Sequence, residues 1–319
     1  MPDVTIPDLP PSSDTAWLFP GQGAQRVGMG KDLYEEIPAA RAVFDAADAA
    51  LGFPLSRLCF EGPEDELTRT VNTQPALVAH SIAALVAAID AGSVTQWPAF
   101  TAGHSLGEYA AMIASRAVSF DAGLRLVRER GRLMQEACDR EPGTMAAVLG
   151  LERDDVARVC SETGASLCNE NAPGNITIGG TTEAVERASE AAKAAGAKRV
   201  LPLKVAGAFH TPLMDSAAAG MRLVLGEARF ADPVVPVVSN VTAQPLTSGA
   251  DFARELTDQV TSPVLWVDGV RTMWSRGVTS FIEFGPGRVL TGALARTEPE
   301  AKLRNVETAA EARGEPAAG

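Results

Sequence analysis

PAFTAGHSLGEYAAMIASRAV, residues 98–118, is the stretch that decides the fold. Inside it, Gly103-His104-Ser105-Leu106-Gly107 fits the G-x-S-x-G nucleophile elbow, in which a strand turns sharply into a helix and pushes a serine hydroxyl outward. The flanks suit that reading. Residues 99–102 form a short apolar run of strand type, and residues 108–118 are rich in Ala, Met and Ile, as a buried helix is. A glycine on each side of the turn removes the Cβ where the backbone has least room. Such a serine needs a base, an oxyanion hole and something that selects its substrate.

The bulk composition narrows the class. A chain of 319 residues that is 46% hydrophobic can bury a large core in one or two domains. Its net charge of −12 speaks against a nucleic-acid role, which favours a basic face. No apolar run reads as long enough to span a membrane. The N-terminal MPDVTIPDLPPSSD is acidic and Pro-rich, unlike an export signal. Cys59, Cys138, Cys160 and Cys168 lack metal-site spacing and read as reduced thiols in a cytoplasmic protein, so no metal is expected. The Asn-x-Thr sequons at Asn175 and Asn240 carry no weight without export.

Ahead of the elbow, residues 16–19 read as a buried strand running into Pro20-Gly21-Gln22-Gly23-Ala24-Gln25. Arg26 stands where a dinucleotide fingerprint needs its third glycine, and Gly30-Lys31 lacks the Ser or Thr of a P-loop. In elbow enzymes one oxyanion N–H comes from the residue after the nucleophile, here Leu106. A second comes from an early loop after a strand, for which Gln22 is the candidate; a plain tight turn is the alternative. Helical patterns cover residues 33–51 and 74–91, with Pro75 expected at the first helical position. His80, on an Ala-rich helix, reads as structural.

On residues 121–138, Gly123, Leu126, Val127, Leu133, Met134 and Ala137 make one apolar stripe at helical spacing. Arg130 sits in that stripe. A buried guanidinium needs a partner, either an internal carboxylate or the carboxylate of a substrate. Residues 138–206 then read β-α-β-β-α-β, the order of a ferredoxin-like unit. Asn171 falls in its expected central loop, as a cleft residue or a turn residue. Beyond it, Gly207-Ala208-Phe209-His210-Thr211-Pro212 follows a strand. The chain has three histidines. Strand alternation would aim His104 away from the nucleophile, so His210 is the base by elimination. No acidic residue between Ser105 and His210 stands out as a third triad member.

These features define an expected α/β fold: an α/β-hydrolase-like core with a parallel sheet and an inserted ferredoxin-like subdomain. The expected layout is a flexible arm over 1–15, a large subdomain over 16–137 and 207–296, a small one over 138–206, and a disordered tail over 297–319.

The motifs FPGQGAQ, NTQPAL, GHSLGEY, RERGRLMQ, NENAPGN, GAFHTPLM, SPVLW and FGPGRVLTG occur in order along nearly the whole chain. The combination resembles the malonyl-CoA:acyl carrier protein transacylases and the acyltransferase domains of polyketide synthases. The resemblance implies that Ser105 carries a malonyl ester, that His210 acts as base and then acid, and that Gln22 and Leu106 supply the oxyanion N–H groups. It implies that Arg130 holds the malonate carboxylate and that the Gln259 carbonyl orients His210. Phe209 and Met134 would belong to the acyl pocket, Phe209 in the Gly-Ala-Phe-His form that goes with malonyl. The implied substrates are malonyl-CoA and the phosphopantetheine arm of acyl carrier protein, with no further cofactor. The protein would act as a monomer, in fatty acid or polyketide synthesis. One alternative is a stand-alone acyltransferase serving a polyketide synthase in trans, with the same chemistry and a different carrier; the other is a serine thioesterase or esterase on the same elbow, which would need an acid behind His210. An acidic carrier would dock on a basic patch, with Arg116, Arg128, Arg132, Lys204, Arg271 and Arg288 as candidates.

Overall fold

A computed structural model describes residues 4–315. Residues 1–3 and 316–319, at the ends of the expected arm and tail, lie outside the described residues. The larger sheet is built outward from β1 (Thr15–Phe19) and β2 (Phe100–Gly103), which pair in parallel from Ala16↔Phe100 to Phe19↔Gly103. Residues 16–19 are buried without exception, as a parallel strand covered on both faces requires. Their alternation divides the core: Trp17 and Phe19 join one apolar cluster, while Ala16 and Leu18 join the cluster on the opposite face. The register leaves the glycine loop after β1 and the elbow after β2 side by side at the carboxyl ends of the strands, where open α/β sheets hold their ligands.

The inserted unit carries four strands: β3 (Thr144–Leu149), β4 (Ser166–Ala172), β5 (Asn175–Gly180) and β6 (Arg199–Pro202). They form an antiparallel sheet in the order β4-β5-β3-β6, with helices Arg153–Thr163 and Thr182–Ala194 in the connections. Val148, Ile176 and Ile178 from the strands and Val156, Val159 and Ala188 from the helices make its own core. The chain then returns to the large sheet through β7 (Val237–Val238), β8 (Pro245–Leu246), β9 (Ser280–Phe284) and β10 (Lys302–Val306). The large sheet has the order β10-β9-β1-β2-β7-β8, and only β8 runs antiparallel.

Both expected loose ends are tied down within the described residues. In the arm, Ile6 is buried, and Trp97 N–H donates to the Pro10 carbonyl while Ser12 N–H donates to that of Trp97, both at 2.8 Å. The tail expected from Thr297 onward instead supplies β10, parallel to β9, and the short helix Ala309–Ala312 with a Thr308–Glu311 capping box. Charge hid this strand, because an edge strand buries little: Val306 is fully buried, while Leu303 is partly exposed. Arg304 spends its charge on local carbonyls, donating to Ser93 O at 2.8 Å.

Two helical expectations shift. Residues 33–51 are two helices, Lys31–Glu36 and Pro38–Leu51, because Pro38 begins a new helix at its first turn. The central helix starts at Thr70, so Pro75 lies inside it. That helix, Thr70–Asp90, is long and apolar enough by composition to cross a membrane, contrary to the reading of the sequence. Yet 83% of its apolar window is buried inside the fold, so it serves as the core helix.

Candidate active site

Ser105 takes φ 53°, the left-handed conformation that an elbow forces on its serine. The turn is possible because two positions lack a Cβ. One built on Gly107 would lie 2.2 Å from the Phe19 carbonyl oxygen, and one on Gly103 would lie 1.9 Å from the Gly107 carbonyl carbon. A residue far away in sequence braces it. Asn240 Oδ1 accepts from the Ser105 N–H at 2.7 Å, and Asn240 Nδ2 donates to the Gly103 carbonyl at 2.7 Å.

His210 stands opposite, also at positive φ (60°), with Nε2 2.8 Å from Ser105 Oγ. Its Nδ1 lies 2.9 Å from the Gln259 carbonyl oxygen. A carbonyl only accepts, so Nδ1 carries the proton and Nε2 is left to receive one from the serine. Burial, helped by the nearby Arg130 charge, pushes the His210 imidazole down to about 3. It is therefore neutral at physiological pH, as a base must be.

Arg130 is 1% exposed. Its Nη1 donates to Gln74 Oε1 at 2.9 Å, and its Nη2 donates to Gln259 Oε1 at 2.8 Å and to Ser105 Oγ at 3.0 Å. Its Nε has no partner. Among the described residues no carboxylate forms an ion pair with it. Burial lowers its pKa, but a guanidinium starts so high that it stays charged. The outcome is a buried cation solvated by two neutral amides and a hydroxyl, beside the serine oxygen.

These groups open on one cavity of about 720 Å³, which Gln22, Leu106, Met134 and Phe209 also line. Met134 Sδ accepts from Gln74 Nε2 at 3.6 Å, so it backs one of the amides that hold Arg130. The Leu106 and Gln22 N–H groups have no partner among the described residues, and Leu106 caps the N-terminus of helix Gly107–Ala114, where a negative charge is favoured.

Two side chains that line the cavity depart from expectation, His104 in its direction and Asn171 in its element. His104 lines the cavity instead of turning away, because the elbow interrupts the strand alternation after Gly103. Its Nε2 meets Asn171 Oδ1 at 3.0 Å, and burial lowers its imidazole to about 4. Asn171 lies on β4, not in a loop. Of the basic candidates only Lys204 reaches the cavity mouth, joined there by Arg69 and Arg296. Arg128 stacks on Phe53 at 4.3 Å and Arg132 pairs with Glu129 and Glu136, and neither lines the cavity. His80 is fully buried with neither ring nitrogen paired, and it does not line the cavity. Sequence reasoning missed Gln74, Asn240, Glu108 and Glu255. Glu108 alone left a signal, as a carboxyl inside an otherwise apolar helix.

A strained serine on a strand-to-helix turn, bonded to a histidine at the carboxyl ends of a parallel sheet, defines an elbow-serine α/β enzyme. The chain belongs to the acyl transferase domain family, whose pattern matches residues 16–313. It is 46% identical over 295 residues to the malonyl CoA-acyl carrier protein transacylase of Bacillus subtilis, covering 91% of this chain and 92% of that protein. Against the protein of that name in Escherichia coli K12 it is 43% identical over 285 residues, covering 88% and 92%. Among solved structures, an acyl carrier protein S-malonyltransferase from Vibrio cholerae matches with TM-score 0.89 at 39% identity, covering 92% of this chain and 97% of that one. A malonyl-transacylase in complex with its type II PKS acyl-carrier protein matches with TM-score 0.90 at 40% identity, covering 94% and 98%.

Proposed function

We propose that this protein transfers a malonyl group from malonyl-CoA to the phosphopantetheine thiol of an acyl carrier protein, through an ester on Ser105. The observation that carries the reading is Arg130: a buried, uncompensated guanidinium 3.0 Å from the serine oxygen. An unpaired buried charge is costly, so a substrate that brings a carboxylate two carbons from its thioester carbonyl is stabilised there. Acetyl groups lack that carboxylate. The names of the relatives, a malonyl CoA-acyl carrier protein transacylase and a malonyl-transacylase bound to a type II PKS acyl-carrier protein, support the same substrates.

The proposed chemistry has two half-reactions. His210 Nε2 takes the Ser105 proton as Oγ attacks the thioester carbon. The oxyanion points at the N–H groups of Leu106 and Gln22; each donor in such a hole is worth about a hundred- to a thousand-fold in rate. The C–S bond breaks, and the imidazolium returns its proton to the departing CoA sulfur. The carrier thiol then gives its proton to His210 and attacks the ester. The C–O bond breaks, and Ser105 regains a proton. A carbonyl in place of a triad acid suits this cycle and disfavours the thioesterase rival, which was expected to place an acid there. Lys204, Arg69 and Arg296 at the mouth would meet the phosphate of the arm and the acidic carrier.

Intact-protein mass after mixing with malonyl-CoA or acetyl-CoA, without carrier, tests the reading. A malonyl adduct on wild type and none on Ser105→Ala is expected. Free CoA with no adduct would favour hydrolysis and overturn the transferase reading.

A further inference from the structure

The side-chain amide of Gln259 meets different neighbours at its two ends. Oε1 accepts from Arg130 at 2.8 Å, while Nε2 donates to the Ser105 carbonyl at 3.0 Å and to Glu108 Oε2. Rotated by half a turn, the amide would set its NH2 against the guanidinium and its oxygen against two acceptors. The acceptors on the Nε2 side therefore decide which end faces Arg130.

Glu108 is the fixed member of that side. It is fully buried on the elbow helix, and its Oε1 accepts from the Asn240 N–H at 3.3 Å. Its carboxyl has that of Glu255, on helix Gly249–Asp258, as a charged neighbour. Glu255 Oε1 in turn accepts from Ser239 Oγ at 2.7 Å and from the Val241 N–H at 3.1 Å. The Glu108 carboxyl is thus held from the loop at Asn240, beside a second carboxyl that is itself fixed by Ser239 and Val241.

We propose that Glu108 is a positioning residue for the arginine clamp: it holds Gln259 with Oε1 on Arg130 and so keeps the guanidinium aimed at the acyl carboxylate. The inference rests on the malonyl reading above. Burial, and then the neighbouring Glu255, raise Glu108 well above the usual carboxylate range. That direction favours the neutral carboxyl, which still accepts from Gln259 and adds no counter-ion behind Arg130. The clamp keeps its charge for the substrate.

The test is the ratio of acyl-enzyme formation rates from malonyl-CoA and acetyl-CoA, read by quenched intact-protein mass. Glu108→Leu keeps the bulk and removes the acceptor; the ratio should fall about tenfold, within the range of coupling between contacting residues. Glu108→Gln can still accept from Gln259 through its amide oxygen, and it should stay within about threefold of wild type. Gln259→Leu leaves the main-chain carbonyl on His210 and should lower the ratio as Glu108→Leu does. The double variant should fall no further. Equal slowing of both acyl donors in Glu108→Leu, with the ratio unmoved, would reduce Glu108 to a packing role and overturn the proposal. Should Glu108→Leu fail to fold, Gln259→Leu decides alone, and an unchanged ratio there overturns it. A wild type that forms no malonyl ester would instead overturn the reading of the function.

Discussion

Arg130 donates to the hydroxyl of Ser105 at 3.0 Å, and no carboxylate in the described chain competes for it. Nucleophile and cation are therefore one unit, and substitutions at either should separate acyl choice from acyl transfer.

Replacing Arg130 with Gln keeps hydrogen-bonding capacity and removes the charge. A desolvated charge pair broken at one end typically costs about 2–5 kcal/mol. Malonyl-enzyme formation should fall by about two orders of magnitude, while acetyl-enzyme formation should change by less than about tenfold. Rapid-quench mass spectrometry with both thioesters measures this, and equal losses would remove the clamp from the mechanism.

The pH dependence follows from His210. Its imidazole ordinarily titrates near 6.5; here it is held at about 3. The base should stay neutral as pH falls through 6.5. Acyl-enzyme formation from malonyl-CoA should hold its rate down to about pH 5, set by that lowered value. A fall centred near 6.5 would mean that the imidazole is far better solvated than its burial implies.

Two glycines should respond to the same substitution with opposite sign. Gly107→Ala sets a methyl 2.2 Å from the Phe19 carbonyl and must push the elbow off the sheet. A loss of about 3 kcal/mol or more is expected, with no acyl-enzyme formed. At Gly226, on helix Asp215–Glu227, a Cβ meets nothing within 4 Å. Gly226→Ala should stabilise by about 0.5–1 kcal/mol. Chemical denaturation of both variants checks the contrast.

His80 predicts acid sensitivity. Burial lowers it to about 3, so between 6.5 and 3 the unfolded chain binds a proton that the folded chain refuses. Its contribution to stability is whole above 6.5 and declines as pH falls. The stability of His80→Leu relative to wild type should therefore improve by about 2 kcal/mol between pH 7 and pH 5. Paired denaturation curves at the two values test it, and a constant difference would show that the ring has found a partner in solution.

Much of the site was legible because its chemistry is local. The elbow announces itself within five residues, and Arg130 stands out as a charge in an apolar stripe. What escaped is held by contacts that sequence spacing does not encode. Asn240 lies 135 residues from the serine it braces, and Gln74 lies 56 residues from the arginine it holds. His104 was misread because alternation was carried one residue past the point where the strand ends. The terminal strand β10 was misread because the charge of its Arg304 is satisfied by carbonyls of Ser93 and Glu311, which composition cannot display.

That last strand has a practical consequence. Trimming the chain at Thr297, as a compositional reading would encourage, takes away the neighbour of β9. The newly bared row of N–H and C=O groups beside Phe281 and Phe284 is a template for strand addition from another molecule. Val306, Ala309 and Ala312 would leave with it, uncovering the flank of the central helix. A shortened protein would then be prone to self-association, and its poor behaviour could be mistaken for a defect in the active site, whose cavity none of the described residues from Thr297 onward lines.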